Sequence, residues 1–293
     1  MSAREPQEMA QVAAKTGVKK IQRSWDRVLV SSFLGGAYIA FGGLVAITVS
    51  SGLDTETWGT LPSLFTGMAF TLGLVLVLIA GSDLATGNMM LVPLSAMRGK
   101  LGLGDVATNL TLVLLGNLVG ALFVAFFLAV QTGVIGDVGA DAGTTAALTH
   151  DRLASIAAGK ATEHTAWETF LRAVGCNWLV CLAVWMSLAA TTVSSKVLAI
   201  FFPIMAFVAM GFDHVVANMF FLPAAIFADV PGIGWDDAVK NWLLAGTGNL
   251  VGAVVFVATS YWYLFLKDQP KEVDQAGHPD ESARTKAEPA ERA

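Results

Sequence analysis

His214 is the residue most able to do chemistry. It lies in an apolar stretch, residues 197–228, beside a single charged neighbour, Asp213. An ionisable side chain in such surroundings is costly, and by default it signals function. Imidazole titrates nearest neutrality, so the chemistry on offer is holding or passing a proton. The structural alternative is a neutral ring tied to a backbone carbonyl at a helix break.

A second apolar stretch, residues 57–97, also holds one charge, Asp83. The two stretches repeat each other. Residues 81–93 read GSDLATGNMMLVP and residues 211–223 read GFDHVVANMFFLP. At an offset of 130, five of thirteen positions agree: Gly81/Gly211, Asp83/Asp213, Asn88/Asn218, Met89/Met219 and Pro93/Pro223. A second echo follows in register, GNLVGA at 116–121 and again at 248–253. The repeat mate of His214 is Leu84, so the two halves share a frame but not a chemistry.

Each polar residue near the repeat carries an expectation. Asp83 and Asp213 read as helix-end groups that accept backbone N–H bonds. Asn88 and Asn218 read as partners for backbone groups freed by a break. Gly81, Gly87 and Gly211 permit the backbone angles a break needs. Thr86 offers a hydroxyl, for a pore contact or a local backbone bond. Asn177, in GCNWLVCLAVW, needs a partner, on another helix or in a pore. Phe70, Leu74 and Phe207 form constrictions or pack, and periodicity favours packing. The glycine pairs Gly116/Gly120 and Gly248/Gly252 have the spacing that lets helices approach closely.

The composition says what must position these residues. The chain has 293 residues, 55% hydrophobic and 14% charged, with a net charge of −5. Mean hydropathy is +0.62. So few charges exclude a disordered chain, a nucleic-acid binder and an ordinary soluble enzyme. No GxSxG, HExxH, Walker A or dinucleotide fingerprint is present, and no His/Cys cluster makes a metal site, so neither enzyme, metal nor cofactor is expected. Cys176 and Cys181 would point about 140° apart on a helix, as packing thiols rather than a disulfide. The first 27 residues lack the apolar core of a cleavable signal peptide.

A membrane helix needs about 20 mostly apolar residues. Residues 28–53, 106–136, 173–195 and 241–266 each supply one. Residues 57–97 and 197–228 are too long for one span and too short for two, so each reads as one interrupted span. The expectation is an all-α membrane protein with six crossings, the second and fifth broken. Three crossings per repeat place the second copy upside down, an inverted 3+3 frame that conducts solutes. Irregular backbone at that depth requires protein or water around it. Half-helix ends meeting at the midplane direct partial positive charge there, which suits anions.

Of the 18 Lys and Arg residues, fourteen fall on the side of both termini. That bias places both termini in the cytoplasm, in a plasma membrane. The domain reading is a cytoplasmic segment 1–27, a transmembrane domain 28–266 and a disordered tail 267–293. Residues 7–27 read as a helix lying near the headgroups or a solvated one. The loop at 137–166 shows no clear chemistry.

GSDLATGNMM, GCNWLVCLAVW and GFDHVVANMFFLP resemble the signature segments of the formate/nitrite transporter family. The resemblance spans about residues 28–266. It implies an aquaporin-like protomer, a homopentamer with a pore in each protomer, and small weak-acid anions as substrates: formate, nitrite or hydrosulfide. It implies that His214 is the central pore histidine, Thr86 the threonine facing it and Asn177 the fourth-helix asparagine. It implies that Phe70, Leu74, Leu84, Val180 and Phe207 form two apolar constrictions, and that Lys160 is the vestibule lysine. The chain departs from the family at Ala85, where an aromatic is common. The competing class is a neutral-solute channel of aquaporin type.

Overall fold

A computed structural model describes residues 3–269; the expected tail beyond residue 269 lies outside the described residues. The described residues form helices and no strands. Five helical stretches are long and apolar enough to cross a membrane: Trp25–Ser50, Leu61–Gly81, Leu103–Val130, Ala166–Ala189 and Trp235–Phe265. The shorter Val193–Ala209 and Val215–Phe227 are apolar too.

In chain order, α1 is Pro6–Ile21, α2 Trp25–Ser50, α3 the short Thr55–Trp58 and α4 Leu61–Leu76. Then come α5 Ala85–Met97, α6 Leu103–Phe123, α7 Thr145–Ala161 and α8 Ala166–Ala189. The last four are α9 Val193–Ala209, α10 Val215–Phe227, α11 Trp235–Ala253 and α12 Ser260–Phe265. α5 and α10 are buried along almost their whole length, though each is only 13 residues. The longer helices enclose them and present Leu115, Val119, Phe123, Leu198 and Phe202 outward. A chain that is apolar both inside and outside is what lipid contact requires. Cys176 and Cys181 are both free and buried on α8.

Glycine sets how closely the helices pack. A Cβ on Gly36 of α2 would stand 1.9 Å from the Asn117 carbonyl oxygen, and one on Gly120 of α6 would stand 1.9 Å from that of Phe33. In the second half, a Cβ on Gly252 of α11 would stand 2.3 Å from the Val174 oxygen. No side chain fits at these crossings. The expected close-packing role of Gly116/Gly120 and Gly248/Gly252 is what the helices use.

α1 is docked on the bundle along one face rather than merely solvated. Met9, Ala10, Ala13, Ala14 and Gly17 are buried, a small-residue stripe at helical spacing. The stripe lies against α5, where Ser95 donates its hydroxyl to the Ala14 carbonyl at 2.7 Å. Arg4, just ahead of α1, ties it to the end of α8 through the Leu188 carbonyl at 2.6 Å. α7, within the 137–166 loop, packs on α10 and reaches the cavity described below.

Candidate functional site

The site is built at two breaks. α4 ends in a π-turn, Val77–Gly81, and the chain runs extended to Leu84 before α5 begins. α9 ends at Met210, and the chain runs extended at His214 before α10 begins. Gly81 and Gly211 have φ of 87° and 70°, angles at which a side chain is strained. Gly87 lies inside α5 and takes no part in the turn.

Each break frees backbone groups that water does not reach, and one asparagine satisfies two of them and ties them to a carbonyl of a neighbouring helix. Asn117 Oδ1 accepts from Ala85 N at 2.8 Å, while its Nδ2 donates to the Ser32 and Asp83 carbonyls at 2.7 and 2.9 Å. Asn249 repeats the pattern. Its Oδ1 accepts from Val215 N at 2.8 Å, and its Nδ2 donates to the Ala173 and Asp213 carbonyls at 2.8 and 2.9 Å. These are the asparagines of the repeated GNLVGA. Sequence reasoning assigns this task to Asn88 and Asn218. Instead these bind other side chains: Asn88 donates to Asn109 at 3.0 Å, and Asn218 to Asn241 at 2.8 Å and to the Asp213 carboxylate at 3.0 Å.

Asp83 and Asp213 also depart from expectation, because cations rather than backbone N–H groups answer their carboxylates. A buried carboxylate then requires a cation. Asp83, 2% exposed, binds Lys20 at 2.6 Å and Arg23 at 2.5 Å. Asp213, 1% exposed, binds Lys160 at 3.2 Å and Arg172 at 3.4 Å. Arg172 also donates to the Gly211 carbonyl at 2.6 Å. Lys20, Arg23 and Arg172 are missed by sequence reasoning. Their partners lie 39 or more positions away, and no local pattern carries that information.

The two helix starts meet. His214, at the N-cap of α10, places Nε2 2.8 Å from Thr86 Oγ1 in the first turn of α5. Its Nδ1 accepts from Ala217 N at 3.1 Å. A backbone N–H only donates, so Nδ1 carries no proton in this arrangement. The proton of the neutral ring is then on Nε2, and Thr86 accepts it. The Thr86 hydroxyl keeps its own proton to give. Asn177 serves the frame: it donates to the Asn249 carbonyl at 2.8 Å and the Thr86 carbonyl at 3.3 Å.

Two cavities flank this bond. One, of about 290 Å³, is bordered by Lys160, Arg172, Phe70, Phe207 and His214. Gly211 and Asn218 also touch it. The other, of about 330 Å³, is bordered by Lys20, Leu74, Leu84, Gly81, Gly87 and Asn88. The Phe70 and Phe207 rings stand edge to face, 6.0 Å apart, and Phe207 lies 5.9 Å from the His214 ring. Thr86, Asn177 and Val180 are buried and border neither cavity. No group of three metal-ligating side chains comes together among the described residues. The arrangement places one proton-bearing pair between two cavities, each with cations on its wall.

The formate/nitrite transporter family profile matches residues 7–263. A probable formate transporter of Methanothermobacter thermautotrophicus is 44% identical, with 91% of this chain and 99% of that one covered. A solved FNT family ion channel superposes with a TM-score of 0.78 at 31% identity, covering 88% of this chain and 98% of that one. A pentameric formate channel with formate bound superposes with a TM-score of 0.68 at 27% identity, covering 86% and 98%. The chain therefore belongs to the formate/nitrite transporter family, a family of transporters and channels rather than enzymes.

Proposed function

We propose that the protein carries small monovalent weak-acid anions across the plasma membrane, formate first and nitrite next. The single observation behind this reading is the Thr86–His214 bond, which joins two helix starts between two cation-rimmed cavities. Six crossings fit the helices, with α4–α5 as the second, interrupted crossing and α9–α10 as the fifth. The matched bonds of Asn117 and Asn249 support an inverted 3+3 frame of aquaporin type. The Lys and Arg bias supports cytoplasmic termini. The likeness to the pentameric formate channel supports a homopentamer with one path per protomer.

The physical problem is desolvation. A bare anion between Phe70 and Phe207 on one side and Leu74 and Leu84 on the other loses its hydration, whereas a neutral acid loses little. Lys160 and Arg172 gather the anion at one mouth, and the inward helix ends favour negative charge between them. The resting His214 ring is neutral, so it is not a standing counter-charge. A proton taken up at Nδ1 breaks the Ala217 bond and leaves a charged ring on the wall of the Lys160 cavity, from which a proton passes to the anion. The anion continues as the neutral acid. The test is tracer uptake into proteoliposomes of the purified protein, with formate, nitrite and glycerol in parallel. Saturable anion entry is expected. Glycerol entry without anion entry would assign a neutral-solute channel instead.

A further inference from the structure

The cavity bordered by His214 has three full cations on its wall, Arg152, Lys160 and Arg172, against one carboxylate, Glu163. Lys160 and Arg172 share the Asp213 carboxylate. Arg152, on α7, is held differently. Its Nε donates to Ser50 Oγ at 2.9 Å and its Nη2 to Thr66 Oγ1 at 2.8 Å. Both partners are neutral hydroxyls, which fix the guanidinium without cancelling its charge. Among the described residues, no carboxylate lies within ion-pair distance of it. Burial lowers the Arg152 guanidinium from its ordinary value, and no acid offsets that; it stays charged all the same.

The two hydroxyls occupy one edge of the fork. Nη1 has no partner among the described residues and is not sealed from water, on a side chain that borders the cavity. The free edge, Nη1 with the second N–H of Nη2, has the spacing that grips two oxygens of one planar anion. Phe70 on the same wall excludes water, which strengthens such a contact. We propose that Arg152 is a specificity residue of this cavity, which takes planar two-oxygen anions (carboxylates and nitrite) in preference to a spherical anion such as hydrosulfide. The inference rests on the transport reading above. It adds that the anion is sorted by shape before it reaches the Phe70–Phe207 ring pair.

Lysine keeps the charge but has no fork, so Arg152→Lys separates shape from charge. The experiment measures KM and kcat for formate and for hydrosulfide, in vesicles with the Arg152 side facing the medium. Arg152→Gln should raise the formate KM roughly tenfold, the size of one charge-assisted hydrogen bond. kcat should change little. Arg152→Lys should admit hydrosulfide more readily while leaving the formate KM raised. If Arg152→Gln does not assemble, the lysine variant alone decides. Leu153→Ala, at a buried α7 position that does not border the cavity, should lower thermal stability and leave the formate-to-hydrosulfide ratio unchanged. If it shifts that ratio as much as Arg152→Lys does, Arg152 is only a tether for α7. If the wild type carries formate and neither Arg152 variant moves the ratio, the sorting role is overturned and transport stands. If the wild type carries no anion, the transport reading itself falls.

Discussion

Among single residues, the two asparagines of the GNLVGA echo hold the breaks open. Replacing Asn249 with Ala strands the Val215 N–H and the Asp213 carbonyl in a buried setting. The expected cost is about 3 kcal/mol, read as a lower melting temperature in detergent. Leu250→Ala, at a 38% exposed neighbour, should change it little. Equal melting of both variants would deny the asparagine its bracing role. The sequence displays the echo plainly, but its glycines attract the reading and its asparagine does not. The breaks themselves are legible, because a charge-poor run of that length fits no whole number of spans. The partners of Asp83 and Asp213 are not legible. A buried carboxylate looks the same in sequence whether a backbone N–H or a distant cation answers it.

Among the elements, α1 is the unexpected one. It reads as a basic surface helix because lysines dominate its charge, yet its Ala and Gly stripe seats it on α5. A Cβ at Gly17 would stand 2.2 Å from the Leu91 carbonyl oxygen, so Gly17→Ala should unseat the helix. Asp83→Asn should loosen it as well, since Lys20 and Arg23 then lose their shared carboxylate. Trypsin should cut after Lys20 or Arg23 faster in either variant than in the wild type. Unchanged protection in both would mean that α1 is held elsewhere. The stripe at positions 10, 13, 14 and 17 has the spacing of a packing face, but small residues carry a weak hydropathy signal, which explains why it escapes notice.

For the whole molecule, the hydrophobic outer faces of α6 and α9 need lipid or neighbouring protomers. A pentamer should run in detergent at five times the 30.8 kDa chain mass, after correction for bound detergent; a stable monomer with full transport would remove the pentamer from the proposal. The all-helical class and the place of His214 at a helix break are both readable from sequence, because interrupted apolar spans and a lone ionisable group stand out against a uniform background. The cavity wall is not, because α7 belongs to a stretch whose composition resembles any loop. The mechanism stands or falls on whether the anion crosses His214 together with a proton. Lumenal pH during formate entry into proteoliposomes, followed for the wild type and for His214→Asn, answers that. The wild type should acidify the lumen in fixed ratio to formate entry, and the variant should lose that acidification while some anion flux persists. Identical flux and identical acidification in both would make His214 a structural cap and contradict the mechanism.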